Sequence, residues 1–420
     1  MDKLTKHNVI HLIFLELVSL TPILIILGNI VPPFPLKIHH IGFGLIFLIS
    51  LYALLSNPFK KWILYIALIF TLIQFTHSQW HVKGLIDYFF GPFALILMFD
   101  ILVNKKLPKD TLLKYERRFY KLLWIPIIIS TLQFFGILPI TFWNATYINY
   151  AFFGDIMIPR PNGFLYHGSE LSILICFLAL FQFFKKEQKA FWMLLLVILF
   201  GVMTYFKAVT GCLILIFLYY ISFVNRGTLS KFRILSKKQI IAYMSLGLVF
   251  TSIIAFRYFS LIYQHTGDIF YSEMLTGRGA IWNIFLEKVS DFTWWNYLFG
   301  NGMGSSFDIF KDYATPITWP RLALKPNDTD YDTHNVLLSV FINSGIIGIA
   351  FFIFLFKMIF NQCKTWLISS KWNKIVFIGV IFIPLFTIGI TIPIFENAIF
   401  WICLGFLLYR WKFYTEYETA

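Results

Sequence analysis

Apolar runs of about 20 residues, the length that carries an α-helix across a bilayer core, recur along the whole chain and exclude most ways it can fold. In lipid a segment must satisfy its backbone groups internally, so such runs predict a helical bundle rather than sheets with open edges. Of 420 residues, 58% are hydrophobic and 13% charged, which leaves little sequence for soluble domains. The runs fall near 9–31, 38–57, 62–76, 84–103, 119–138, 168–184, 190–206, 208–224, 239–256, 335–357, 375–394 and 396–410. They predict an all-α polytopic membrane protein with about 12 transmembrane helices, a single integral membrane domain over residues 1–420. The third, seventh and last runs are short, and each leaves a tilted helix or a re-entrant segment open. The first run closes on "VPPFP" without a small-residue cleavage site, so it reads as a retained span.

Lysine and arginine set the orientation. Loops such as "NKKLPKDTLLKYERRFYK", "FKKEQK" and "NRGTLSKFRILSKK" alternate with loops poor in positive charge, and about 25 of the 35 basic residues lie on one side. That side is expected to be cytoplasmic, with both termini on it. The net charge of +14 belongs to these juxtamembrane loops, where it meets anionic membrane lipids, and no nucleic-acid ligand is expected. Cys176, Cys212, Cys363 and Cys403 fall in or beside spans and read as packing residues, not a disulfide framework.

On the opposite face, residues 139–167 form one long loop and residues 257–333 a larger one, rich in aromatics and expected to carry short helices against the membrane. Positive charge there serves no topological purpose. Arg160 stands in "MIPRPNGFLYHGSELS", with Pro161 keeping it extended and Gly163 permitting a turn. Arg278 stands between glycines in "MLTGRGAIW", ahead of an amphipathic stretch. Glycine-flanked arginines suit forked recognition of a phosphate or diphosphate. Lys207, Arg257 and Arg321 are equally well read as headgroup contacts or partners of loop carboxylates.

In "YDTHNVLLSVFINSGIIG", Asp332 or Thr333 is expected to cap the tenth span, placing His334 in its first turn. The helix dipole there disfavours imidazolium, and a neutral imidazole can accept a hydroxyl proton. A histidine held at the interface by Asp332 is the alternative. His167 precedes the sixth span, and Glu170 lies two residues inside it, a depth at which an ionisable group suggests function or a pair with Arg160 or His167. Glu16 and Asp87 read as structural ion-pair partners. Neither a metal-ligand constellation nor a P-loop is present, and "GNGMGSS" lacks the strand that a dinucleotide fingerprint requires.

Arg160 to Gly163 as "R-x-x-G" before a central span, then "TGRGAIW", "LFGNGMGS" and "HNVLLSVFINSGIIG", in that order, resemble the bacterial O-antigen ligase and polymerase superfamily. The likeness covers the central and C-terminal two thirds; the first hundred or so residues share only hydropathy. It implies a GT-C-like helical bundle with a large periplasmic loop, in the bacterial inner membrane. The implied activity is metal-independent, inverting glycosyl transfer from an undecaprenyl-diphosphate-linked oligosaccharide donor to a glycan acceptor, with no cofactor. Arg160 and Arg278 would bind the diphosphate and His334 would act as base, with His167, Glu170, Trp282 and Asn335 among the substrate-contacting set. Where ligases often carry serine and arginine before glycine, this chain reads "FKAVTG", so Lys207 would supply single-point contact.

Acceptors in such enzymes are another lipid-linked repeat unit, lipid A core or a protein hydroxyl. No further domain for a protein acceptor is expected after "YRWKFYTEYETA", and the departure at Lys207 and the high Phe and Ile content suit the divergent polymerases. The expected activity is therefore repeat-unit polymerisation into O-antigen or capsular polysaccharide, with a chain-length regulator and a flippase as partners, and O-antigen ligation as the alternative. A polysaccharide flippase or permease gated by the outer loop is the alternative from another class, although carriers place charges deep in several helices.

Overall fold

The apolar runs that the structure describes are helical, and prolines, glycines and buried polar groups decide where they break. The computed structural model describes residues 6–30, 38–55, 82–104, 106–138, 146–149, 157–165, 168–184, 187–203, 207–220, 278–305, 335–367 and 397–418, with single positions including Thr333, Gly389 and Phe395. The runs near 62–76, 239–256 and 375–394 lie wholly or mostly outside these residues.

Helices α1 (Lys6–Ser19) and α2 (Thr21–Ile30) occupy the first run. The expected single span is instead bent by 55° between them. Pro22 has no N–H to continue the ladder onto the preceding turn, which breaks the run there. Arg118 fills the gap: it donates to Glu16 Oε1 at 2.6 Å, to the Glu16 carbonyl at 3.3 Å and to Ser19 Oγ at 3.0 Å. Glu16 is thus the structural ion-pair partner expected, while the Asp87 side chain lies outside the described residues.

α3 (Ile38–Leu55) and α4 (Val82–Val103) follow. The expected span at 119–138 is divided: amphipathic α5 (Lys109–Leu122) runs through Leu123, which keeps helical angles of −59° and −25°, into α6 (Trp124–Phe134). α5 buries Leu112, Leu113, Tyr115, Glu116 and Phe119 and exposes Lys114, Arg117 and Lys121. Burial first, and the Glu16 charge second, push the Tyr115 phenol above its ordinary range, so it stays protonated.

The 139–167 loop contains a small antiparallel hairpin, β1 (Thr146–Asn149) and β2 (Met157–Arg160), with Thr146 opposite Arg160. α7 (Gly168–Phe181), α8 (Glu187–Met203) and α9 (Lys207–Tyr219) complete the central helices. The outer segment contributes α10 (Arg278–Ser290) and α11 (Trp294–Phe299), and the C-terminal part α12 (Val336–Leu367) and α13 (Ala398–Glu418). The last run, short in sequence, is thus part of a 21-residue helix.

Among the described residues, only Val336–Asn361 within α12 is by itself long and apolar enough to cross a membrane, joined by the bent α1–α2 pair if that counts as one span. Five shorter apolar helices accompany them. The chain is helical as expected, with one small hairpin added, but its described helices fall short of twelve full spans. The first and fifth runs are each divided into two helices, since a proline or a turn can break a helix without interrupting the apolar composition.

The core centres on α4 and α13. Tyr409 donates to the Met98 carbonyl at 2.7 Å, and buried Lys412 donates to the Leu102 carbonyl at 2.9 Å, satisfying an oxygen in the last turn of α4. Trp401 donates to the Phe395 carbonyl at 2.8 Å and stacks near Phe352 and Phe356. Gly91 lets α4 approach the Trp401 indole so closely that a β-carbon there would overlap it. Helix α9 has open space around Gly211. Gly91→Ala is therefore expected to destabilise the protein by about 1–3 kcal/mol through overpacking. Gly211→Ala, with room for its methyl, is expected to stabilise it by about 0.5–1 kcal/mol. Thermal unfolding of both variants in one detergent checks the opposite signs.

Candidate functional site

Arg160 ends β2, and the chain then turns through Asn162, Gly163 and Phe164 to reach α7. Gly163 has φ +64° and Phe164 φ +63°. Glycine adopts that conformation freely; phenylalanine does so only when its surroundings impose it. Here α6 and α2 impose it. Gln133, fully buried, accepts from the Asn162 and Gly163 N–H groups at 3.2 and 2.9 Å and donates to Asn162 Oδ1 at 3.2 Å. Asn162 donates to the Leu165 carbonyl at 2.9 Å, and Asn29 to the Phe164 carbonyl at 2.9 Å. A β-carbon at Gly163 would meet the Pro126 carbonyl. The turn expected at Gly163 is present, and the segment carrying Arg160 is fixed by Gln133, Asn162 and Asn29, none of which sequence reasoning selected. The only sequence signal was Gln133, a lone amide in the apolar run "WIPIIISTLQFFGILPI".

Glu170 lies in the first turn of α7, where the dipole favours a carboxylate. His167 lies outside the described residues. Lys207 is the first residue of α9 and Arg278 the first of α10. A cation at the positive end of a helix contributes nothing to helix stability, and with the free N–H groups it makes a place for an anion.

The Arg278 and His334 segments are brought together by one hydrogen bond. Trp282, one helical turn after Arg278 on the same stripe of α10, donates from Nε1 to the Thr333 carbonyl at 3.0 Å. Thr333 is fully buried, and its hydroxyl donates to the Asn335 carbonyl at 2.9 Å. Asn335 Oδ1 accepts from the N–H groups of Leu337 and Leu338, both at 3.0 Å, so Asn335 is the N-cap of α12. The Val336 N–H meets the Gly389 carbonyl at 2.7 Å.

These bonds correct two expectations. The cap is Asn335, not Asp332 or Thr333, because the Thr333 carbonyl is drawn to Trp282 and its hydroxyl to Asn335. His334 therefore precedes the cap instead of occupying the first turn, and the dipole, which acts within that turn, bears on it less. Asn335 and Trp282, expected to contact substrate, also hold the main chain: Asn335 Oδ1 caps α12 and the Trp282 indole N–H holds the Thr333 carbonyl. His334 itself, and the side chains of Arg160, Lys207 and Arg278, lie outside what is described.

α11 and α12 fix this arrangement to the bundle. Thr293 and Asn296 form a reciprocal cap at the start of α11, with both cap bonds at 3.3 Å. α11 ends at Gly300, φ +79°, and the Asn301 N–H reaches the Ile342 carbonyl at 2.6 Å. At the crossing, α12 is interrupted by Gly345, φ +64° and ψ −161°. A β-carbon on Gly300 would overlap the Asn343 and Ser344 backbone, and one on Gly345 the Leu298 and Phe299 backbone. The glycines of "LFGNGMG" and "NSGIIG" are thus partners in a backbone-to-backbone crossing. Ile284, Phe285, Phe292, Ile309 and Ile342 form a second small core around it. Ser344 shares a 2.7 Å hydrogen bond with Tyr88 of α4, linking the crossing to the main bundle.

Among the described residues no group of three or more His, Cys, Asp or Glu side chains is placed to hold a metal ion. No protein-family model matches the chain, and no curated protein is significantly similar to it.

The crossing gives a graded expectation. Gly136 also has φ +70° but open space around it, so Gly136→Ala should cost only the backbone term, about 1–2 kcal/mol. Gly300→Ala adds the overlap with α12 and should lower the unfolding temperature markedly more than Gly136→Ala in the same assay.

Proposed function

We propose that the protein is a membrane-embedded, periplasm-facing glycosyltransferase that polymerises undecaprenyl-diphosphate-linked repeat units. The observation that carries this reading is the Trp282 to Thr333 hydrogen bond, which joins the helix opened by Arg278 to the residue before His334. Two motif segments far apart in sequence, each carrying one half of a transfer reaction, are thereby held at one place. The resemblance of those segments to the O-antigen ligase and polymerase superfamily supplies the reaction.

In that reaction an acceptor hydroxyl oxygen attacks the anomeric carbon of the donor sugar as the bond from that carbon to the diphosphate oxygen breaks. The electron pair leaves with undecaprenyl diphosphate, the hydroxyl proton passes to His334, and the anomeric configuration inverts. Arg278 and Arg160, with Lys207 as a point charge, meet the negative charge on the leaving group, and fixed cations in a water-poor cleft do this without reorganisation. The start of α10 adds its unpaired N–H groups to the Arg278 site. Gln133 and Asn29 hold the Arg160 turn; Trp282 and Asn335 hold the chain around His334.

Exposed apolar side chains support the membrane setting. Leu48 is 60% exposed, Leu199 51% and Ile353 63%, on three separate helices of the bundle. With the recurring apolar runs they favour about twelve spans in the bacterial inner membrane, both termini cytoplasmic. Polymerase is preferred to ligase on the Lys207 departure.

Deletion in the source bacterium should leave glycan of a single repeat on its acceptor, and wild-type chain should restore the length distribution. Arg278→Ala and His334→Ala should each reduce polymerised product at least about 100-fold, as expected for loss of leaving-group stabilisation or of the base, while inserting at wild-type levels. Normal product from both variants would overturn the mechanism, and loss of all translocated lipid-linked unit on deletion would point to a flippase.

A further inference from the structure

One face of the α5–α6 helix changes character along its length. Asp110, Lys114, Arg117 and Lys121 are all exposed and recur at the spacing of a single helical stripe. The backbone keeps helical angles at Leu123, so the stripe continues from α5 into α6. Beyond it the same face presents half-buried Trp124 and Ile125, then Ile128 at 53% exposure and Phe135 at 62%. A surface recess at the charged end is lined by Asp110, Leu113, Lys114, Arg117, Arg118 and Lys121. Arg118 is engaged by Glu16 and Ser19, which leaves Lys114, Arg117 and Lys121 as the cations turned outward.

We propose that this stripe binds the headgroup phosphates of anionic phospholipid at the cytoplasmic surface, with Trp124 marking the boundary to the acyl chains. The proposal rests on the membrane reading above and is independent of the chemistry assigned to the outer face. Its occupant is identified by continuity. A soluble acidic partner would account for Lys114, Arg117 and Lys121 but not for bare Ile128, about 10 Å beyond Lys121 on the same face, or for Phe135, about 20 Å beyond it. A bilayer accounts for both: acyl chains cover the isoleucine and phenylalanine, an aromatic sits at the interface, and long cationic side chains reach the phosphate level. Each such cation near an anionic surface attracts its lipid several-fold. The buried face of α5, which carries Phe119 and Leu112, packs on the bundle and holds the stripe outward.

The test uses the full chain in vesicles of phosphatidylglycerol and phosphatidylethanolamine, with photoreactive p-benzoylphenylalanine replacing Asp110 or, separately, Ile128. The lipid attached after irradiation is identified by mass. At the residue-110 probe the captured ratio of phosphatidylglycerol to phosphatidylethanolamine should be about five times the bulk ratio, the factor one juxtamembrane cation supplies. The excess should vanish in the Lys114→Gln, Arg117→Gln, Lys121→Gln variant, while the residue-128 probe goes on capturing acyl chains. Capture at 110 in bulk proportion, capture of no lipid there, or an excess that survives the triple substitution would overturn the headgroup site and leave the membrane reading intact. Failure of the residue-128 probe to capture any lipid would overturn the membrane reading itself.

Discussion

The crossing of Gly300 and Gly345 is the contact on which the outer half of the molecule depends. Each glycine occupies a left-handed conformation, and each leaves room for the other segment's backbone. Without that approach α11 could not lie against α12, and the Asn301 to Ile342 bond could not form. α10 would then lose the small core that seats it, and with it the geometry of Trp282 and Thr333. Ser344, next to the crossing, carries the constraint inward to Tyr88, and α4 passes it to α13 through Met98 and Tyr409. A backbone contact thus sets where two chemically suggestive segments lie relative to the bundle.

Hydropathy made the helices legible because burial or lipid contact demands apolar side chains over their whole length. It did not reveal the breaks. The first run reads as one span despite Pro22, and Gly345 sits in "INSGIIGIAF", which reads as uninterrupted helix until Gly300 is known to press against it. The choice of cap shows the same limit. Asp332, Thr333 and Asn335 are all good capping residues, and local propensity cannot rank them. The choice was made by Trp282, more than forty residues earlier, which claims the Thr333 carbonyl. Gln133 stood out as a polar residue in a greasy run, yet its role required Asn162 and Gly163 to be brought to it by the hairpin.

Chemistry and placement come from different residues. The cations of the proposed site open helices or end a strand, positions that do nothing for folding stability and suit an anionic ligand. The residues that hold them are amides, a tryptophan and glycines, uncharged and largely buried. The motifs direct attention to Arg160, Arg278 and His334, whereas the hydrogen bonds of Trp282 and Asn335 show only once the two segments are seen together. The α5–α6 face repeats the theme, since its cations are positioned by Phe119, Leu112 and the Glu16–Arg118 pair and not by one another.

The most direct measurement is made on the purified protein in vesicles, supplied with undecaprenyl-diphosphate-linked repeat unit as the only substrate. A polymerase in which Arg278 meets the leaving diphosphate and His334 takes the hydroxyl proton yields glycan of two or more repeats. It also releases one equivalent of free undecaprenyl diphosphate for every glycosidic bond formed. Intact donor with no diphosphate released, from protein that is folded and correctly inserted, would contradict it.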